Sequence, residues 1–168
     1  MLYARKRITS VPRDKEIISI KAFFVNILDM KTNEILKIDL SEGIISRKVL
    51  DKRTQESYLG GRGLGAYLYY QGPRKADDPE NSIYICPGFL TGTSFPSSSR
   101  SNFVSSSPHT GLMLSSSFGG FFGAYLKSQG IAALQITGVA DDWSYLVIDG
   151  ENTRIENAKH LVGKTTYE

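Results

Sequence analysis

The stretch SSSRSNFVSSSPHTGLMLSSSFGGFFGAYLK, from Ser97 to Lys127, constrains the fold more than any other part of the chain. Serine clusters three times, at Ser97–Ser99, Ser105–Ser107 and Ser115–Ser117. A disordered serine linker lacks large apolar residues. Here Phe103, Val104, Leu112, Met113, Leu114, Phe121 and Phe122 interrupt the serines regularly, so the stretch reads as folded. SNFVSSS and GLMLSSS are each strand-length, and Pro108-His109-Thr110-Gly111 between them has turn composition. Gly119 and Gly120 then lead into a helix-forming segment, FFGAYLKSQ, closed by Gly130. Unpaired N–H groups and the positive dipole end at such a helix start favour an anion. With Arg100 nearby in sequence, the pattern predicts a cradle for a phosphate-bearing ligand. A helix cap followed by glycines needed for tight packing accounts for the same residues equally well.

Strand signals flank this region. AFFVNILDM and NEILKIDL read as extended segments, and IISRKVL follows across Ser41-Glu42-Gly43, which suggests a hairpin within an early β meander. Ile35, Lys37 and Asp39 alternate with Leu36, Ile38 and Leu40, the period of a half-buried strand. Asp51 to Leu59 is polar and moderately helical, whereas LGAYLYYQ, from Leu64 to Gln71, is apolar enough to pack a helix on a sheet. GPRKADDPEN is a loop by its Pro and Gly content, with Asp77, Asp78 and Glu80 as solvated loop carboxylates. SIYIC, IAALQIT and SYLVID read as further strands, the last two separated by a turn at Asp141-Asp142. The fold class expected is α+β, a sheet-dominated domain with a few packed helices.

Gly61-Arg62-Gly63-Leu64-Gly65-Ala66 formally matches the G-x-G-x-x-G/A dinucleotide fingerprint. That fingerprint needs a buried strand ending just before its first glycine. DKRTQESYL, which precedes it, is too polar to be that strand, so a glycine-rich helix start with a structural Arg62 is the stronger reading. Arg62 stays a candidate phosphate contact, because a planar cation beside flexible backbone suits that task.

The 168 residues, 40% hydrophobic and 22% charged, suit one globular domain. Residues 1–21 alone carry +4, six basic side chains against Asp14 and Glu16, so the remainder of this +3 chain is −1. Residues 1–32 are therefore expected to be a loose basic arm, and nucleic-acid binding is not expected. Cys86 is the single cysteine, which excludes an internal disulfide and any cysteine cluster for zinc or iron–sulfur in this chain. No stretch approaches the roughly 18 apolar residues of a membrane helix, and the composition predicts a soluble, cytoplasmic protein. His109 and His160 have no carboxylate or cysteine at ligand spacing, and Ser94 fits no G-x-S-x-G elbow.

YLGGRGLGAYLYY, PGFLTGTSFPSSSRSNFVSSSPHTG and GGFFGAYLKSQG followed by ALQITGVA resemble, in order and spacing, the signature blocks of the aldehyde ferredoxin oxidoreductase family. The resemblance runs from about Glu34 to the C-terminus and marks residues 33–168 as similar to that family's N-terminal domain. It implies a largely β base supporting a tungsten or molybdenum bis-pterin cofactor with a bridging magnesium. The implied reaction oxidises aldehydes to carboxylic acids and passes electrons through a [4Fe–4S] cluster to ferredoxin. Arg100 would lie between pterin and cluster, and Ser117, Gly119 and Gly120 would contact a pterin phosphate and the magnesium. Ser117 stands where the family often has asparagine, Phe118 where it has a small residue, and Tyr125 where it has glutamate. Family members run to several hundred residues, so the cluster cysteines are expected in remaining domains or a partner subunit. The chain alone is expected to be inactive and to expose an apolar face prone to self-association. A stand-alone phosphate- or pterin-binding module and an inactive structural remnant are the alternative readings.

Overall fold

The computed structural model describes residues 32–72, 76, 78, 80–150 and 152–165. The basic arm apart from Thr32, the expected extended segment AFFVNILDM, and Asp77 lie outside the described residues. Strand β1 (Glu34–Asp39) turns back through 40–43 into β2 (Ile44–Val49), pairing Asp39 with Ile44 in the expected hairpin. Asp51 then caps α1 (Lys52–Tyr58), its carboxylate accepting from the Thr54 backbone N–H at 2.9 Å and the Thr54 hydroxyl at 2.6 Å. Those bonds hold the Asp51 carboxyl below its ordinary pKa. Helix α2 (Gly61–Gln71) follows directly, then β3 (Ile83–Pro87).

The serine-rich stretch is ordered as the sequence predicts. Its strands β4 (Ser101–Ser106) and β5 (Met113–Phe118) form an antiparallel hairpin around the turn at 107–112. Helix α3 (Phe122–Ser128) ends at Gly130, whose φ of +79° is the left-handed conformation that glycine adopts without a Cβ penalty. Strand β6 (Ile131–Thr137) comes next. Strand β7 (Ser144–Val147) pairs with β8 (Arg154–Asn157) in a separate two-stranded sheet, and a 3₁₀ turn follows at Lys159–Leu161. The short polar sequence of β8, Arg-Ile-Glu-Asn, carries no strand signal strong enough to predict it.

The main sheet has the order β2-β1-β6-β3-β4-β5, with β1 and β6 parallel and every other neighbour antiparallel. The fold class is α+β. The expected meander stops after its hairpin, because β6 occupies the second side of β1. That placement makes β1 an internal strand, with Ile35, Leu36 and Ile38 buried and Lys37 and Asp39 only half-buried. Ile35 joins Leu64, Leu68, Tyr69, Tyr84, Cys86 and Val104 beneath α2, while Leu36 and Ile38 pack with Leu126, Ile131, Leu134 and Ile148 on the α3 side. A register shift at the start of the β1/β6 ladder lets Ile131 fill the α3-side core while Ala132 and Ala133 both pack toward α2. No helix among the described residues is long and apolar enough to cross a membrane.

Candidate functional site

Two glycine-rich segments converge on one end of the sheet. Helix α2 begins at Gly60-Gly61, with φ of +135° and +54°. A Cβ on Gly60 would lie 2.7 Å from the Pro87 carbonyl oxygen, and one on Gly61 would lie 3.5 Å from Asn102 Oδ1. One turn on, a Cβ on Gly65 would meet Val104 Cγ2 at 2.7 Å. These glycines let α2 lie directly on β3 and β4, the packing role favoured above. The element before Gly61 is helix α1 rather than a strand, so the dinucleotide fingerprint lacks its structural context. Arg62 is exposed in the first turn of α2.

The segment from Gly88 to Arg100 closes on itself around Thr91, which is fully buried. The Thr91 hydroxyl lies 2.6 Å from the Arg100 carbonyl and 3.1 Å from that of Ser98, and it accepts the Arg100 N–H at 3.3 Å. Gly88 N–H donates to the same Arg100 carbonyl at 2.8 Å. From the other side, α3 presses close: a Cβ on Gly123 would fall 2.1 Å from Ser101 Oγ, and one on Gly92 3.4 Å from Ala124 Cα. Lys127 of α3 donates to the Phe89 carbonyl, and burial pushes its ammonium below the usual lysine range. The Arg100 backbone is thus fixed, while its side chain is exposed and has no carboxylate partner among the described residues.

The β4/β5 register pairs Ser101 with Phe118, which sets Arg100 and Gly119 side by side just beyond the paired strands. Ser99 Oγ donates to the Gly120 carbonyl and ties the two segments together. Arg100, Gly119 and Gly120 are therefore brought together. Gly120 has a φ of +90°, and a Cβ there would meet nothing within 4 Å, so this backbone is open. Ser117 is placed differently. It pairs with Asn102 on the α2 face of the sheet, and Asn102 Nδ2 donates to its hydroxyl at 2.8 Å. Since Asn102 also lies close to Gly61, Ser117 shares its surroundings with the start of α2 rather than with α3. Phe118 points to the opposite face, its ring centroid 6.2 Å from that of Phe122. Helix α3 spans seven residues and has no side-chain cap, so its dipole adds less to an anion site than the sequence suggests.

Thr91, Asn102 and Lys127 were not singled out from sequence. Asn102 could have been: reflecting the chain about the centre of the 108–111 turn places it opposite Ser117. Thr91 and Lys127 act through tertiary contacts that leave no periodic trace. Cys86 is buried, which pushes its thiol up to about 12 and keeps it from acting as a thiolate. No group of three or more His, Cys, Asp or Glu side chains able to hold a metal occurs among the described residues.

The sequence pattern of the aldehyde ferredoxin oxidoreductase N-terminal domain matches residues 35–168. The chain belongs to the aldehyde ferredoxin oxidoreductase family. A tungsten-containing aldehyde ferredoxin oxidoreductase of Thermococcus kodakarensis is 38% identical over 136 residues, covering 79% of this chain and 22% of the relative. The corresponding Pyrococcus furiosus enzyme is also 38% identical, with the same coverage. An aliphatic sulfonate oxidoreductase, WOR-like subunit, from P. furiosus is 29% identical over 136 residues, covering 77% of this chain and 22% of that protein. Among solved structures, the active-site complex BamBC of benzoyl coenzyme A reductase with 1,5-dienoyl-CoA superposes with a TM-score of 0.74 at 32% identity, covering 80% of this chain and 21% of that one. The chain thus spans about a fifth of the length of these proteins.

Proposed function

We propose that this chain is the cofactor-supporting N-terminal domain of an aldehyde ferredoxin oxidoreductase-type enzyme, holding the phosphate-bearing part of a tungsten or molybdenum bis-pterin. The observation that carries this reading is the exposed Arg100, without a carboxylate partner among the described residues, whose backbone is held by the buried Thr91 hydroxyl next to Gly119 and the open backbone of Gly120. The donor set fits an organic anion rather than a bare metal, since the described residues contain no ligand cluster for one. Arg100 would bind and orient a phosphate through charge-assisted hydrogen bonds, and the glycines would allow close approach of the backbone. Ser117 and Asn102 form a second polar pair on the α2 side, and together with Arg62 from the first turn of α2 they would meet another part of the same ligand or a bridging magnesium. When bound, the tungsten pterin supplies the oxidation of an aldehyde to a carboxylic acid. The [4Fe–4S] cluster and the transfer to ferredoxin belong to remaining domains or a partner subunit, because the lone Cys86 is buried.

Calorimetric titration with a phosphate-bearing pterin tests the reading. Arg100→Ala removes a charge-assisted hydrogen bond worth roughly 1.5–3 kcal/mol, so affinity should fall about tenfold or more. Thermal stability should not move, because the side chain is exposed. Equal affinity for the wild type and Arg100→Ala would overturn the assignment.

A further inference from the structure

In the segment from Gly88 to Arg100, between β3 and β4, Thr91 is the one buried residue. A hydroxyl has one proton to donate and two lone pairs to accept with, so a buried one commits to definite partners. Thr91 Oγ1 lies 2.6 Å from the Arg100 carbonyl oxygen and 3.1 Å from that of Ser98, and it accepts the Arg100 N–H at 3.3 Å. Its proton favours the nearer carbonyl, that of Arg100. Backbone bonds reach the same groups: Gly88 N–H donates to the Arg100 carbonyl at 2.8 Å, and Arg100 N–H to the Ser98 carbonyl at 2.8 Å.

The Arg100 N–H belongs to the rigid peptide plane before its Cα, and the Arg100 carbonyl to the plane after it. Holding both planes from one hydroxyl fixes φ and ψ between them, and with these the direction of the Cα–Cβ bond. A valine at 91 would orphan none of these groups. The Arg100 carbonyl would keep Gly88 N–H, and the Arg100 N–H would keep the Ser98 carbonyl. The hydroxyl is therefore not required to satisfy buried backbone, and what it adds is the rigidity of Arg100. The other branch of the side chain faces α3, where a Cβ on Gly123 would lie 3.1 Å from the Thr91 methyl carbon.

We propose that Thr91 is a positioning residue, whose hydroxyl aims the Arg100 side chain at the phosphate of the ligand without touching the ligand itself. The inference rests on the binding role proposed for Arg100. An exposed arginine has several rotatable bonds, and ordering them on binding costs free energy. A backbone already locked at Arg100 lowers that cost, because the side chain starts from one direction beside Gly119. Thr91 thus separates two tasks on one Cβ: the methyl packs on α3 and the hydroxyl sets Arg100.

Titration calorimetry of the whole chain with hydroxymethylpterin phosphate, and with hydroxymethylpterin as the phosphate-free probe, tests the proposal. Thr91→Val keeps the shape and removes the hydroxyl, so it should bind the phosphate form about fivefold more weakly and the phosphate-free form unchanged. Thr91→Ser keeps the hydroxyl and should bind both probes as the wild type does. Adding Thr91→Val to Arg100→Ala should cause no further loss, since the hydroxyl acts only through the guanidinium. A merely structural role would instead weaken both probes and add to the Arg100→Ala loss. Either of those results overturns the proposal, as does wild-type affinity in Thr91→Val beside a weakened Arg100→Ala. Wild-type affinity in Arg100→Ala would overturn the binding role itself, and this proposal with it. If Thr91→Val does not fold, Thr91→Cys, whose thiol is a weak donor, takes its place with the same expected losses.

Discussion

Gly60–Gly65 and Gly119–Gly120 look alike in sequence, yet the structure uses them in opposite ways. In the first segment, added methyl groups at Gly60 and Gly65 would lie 2.7 Å from the Pro87 carbonyl and from Val104 Cγ2. In the second, a methyl on Gly120 meets nothing within 4 Å, and one on Gly119 only the Ser99 carbonyl at 3.4 Å. Glycines that remove a side chain to admit another part of the same chain are packing residues. Glycines that remove one beside open space keep backbone accessible, which is what a ligand requires. The difference gives most of the α2 glycines a packing role and leaves the Gly120 backbone open beside Arg100, as the proposed binding role requires.

The largest effect that sharpens this contrast is expected at Gly60. Alanine there combines a φ of +135° with a clash against backbone that cannot rotate away, so stability should fall by about 3 kcal/mol or more. A urea melt of Gly60→Ala shifted by less than a third of that would break the distinction. Gly65→Ala has an ordinary φ but crowds the fully buried Val104, with an expected loss of about 1–3 kcal/mol. The Cys86 thiol lies 3.5 Å from the same Cβ position, so its reaction with a thiol reagent in native buffer should accelerate in that variant.

Gly120→Ala should cost only about 1 kcal/mol, the strain of a left-handed alanine without a clash. Its affinity for a pterin phosphate should nevertheless drop several-fold, whereas a folded Gly65→Ala should bind normally. Calorimetry on both variants reads this directly, and the reverse ranking would move the site to α2.

The smallest effect concerns pH and the core under α2. Burial raises the Cys86 thiol from its ordinary value of 9.0 to about 12 in the folded chain. The unfolded chain therefore releases this proton first. Its contribution to stability is complete below 9.0 and declines as pH rises from there towards 12. The loss between neutral pH and pH above 9.0 should be smaller in Cys86→Ala than in the wild type, as measured by urea midpoints. Identical losses would mean that the thiol is less buried than the α2 contact implies.

Much of the local structure was legible in the residues themselves. The hairpin at Ser41-Glu42-Gly43, the strand Ile83–Pro87, the serine hairpin and the helix stopped by Gly130 follow from alternation, turn chemistry and glycine punctuation within a few residues. Part of the candidate site was legible too, because Arg100 and Gly119 flank one hairpin and must end side by side. The side of the sheet that Ser117 faces was not read, since it depends on the exact phase of that hairpin. Thr91 was missed because its partners, the Ser98 and Arg100 carbonyls, become neighbours only after the loop closes.

The sequence by itself determined the kinds of elements, the folded character of the serine stretch and the family to which the chain belongs. Only the tertiary structure decided that β6 enters between β1 and β3, that Ser117 faces α2 with Asn102 while Arg100 ends beside Gly119, and which glycines are filled. The reason lies in the range of the forces involved. Propensity, capping and turn geometry act between near neighbours and are written in short motifs. Strand order and sidedness are fixed by burying apolar surface from distant segments together, and that choice has no local code.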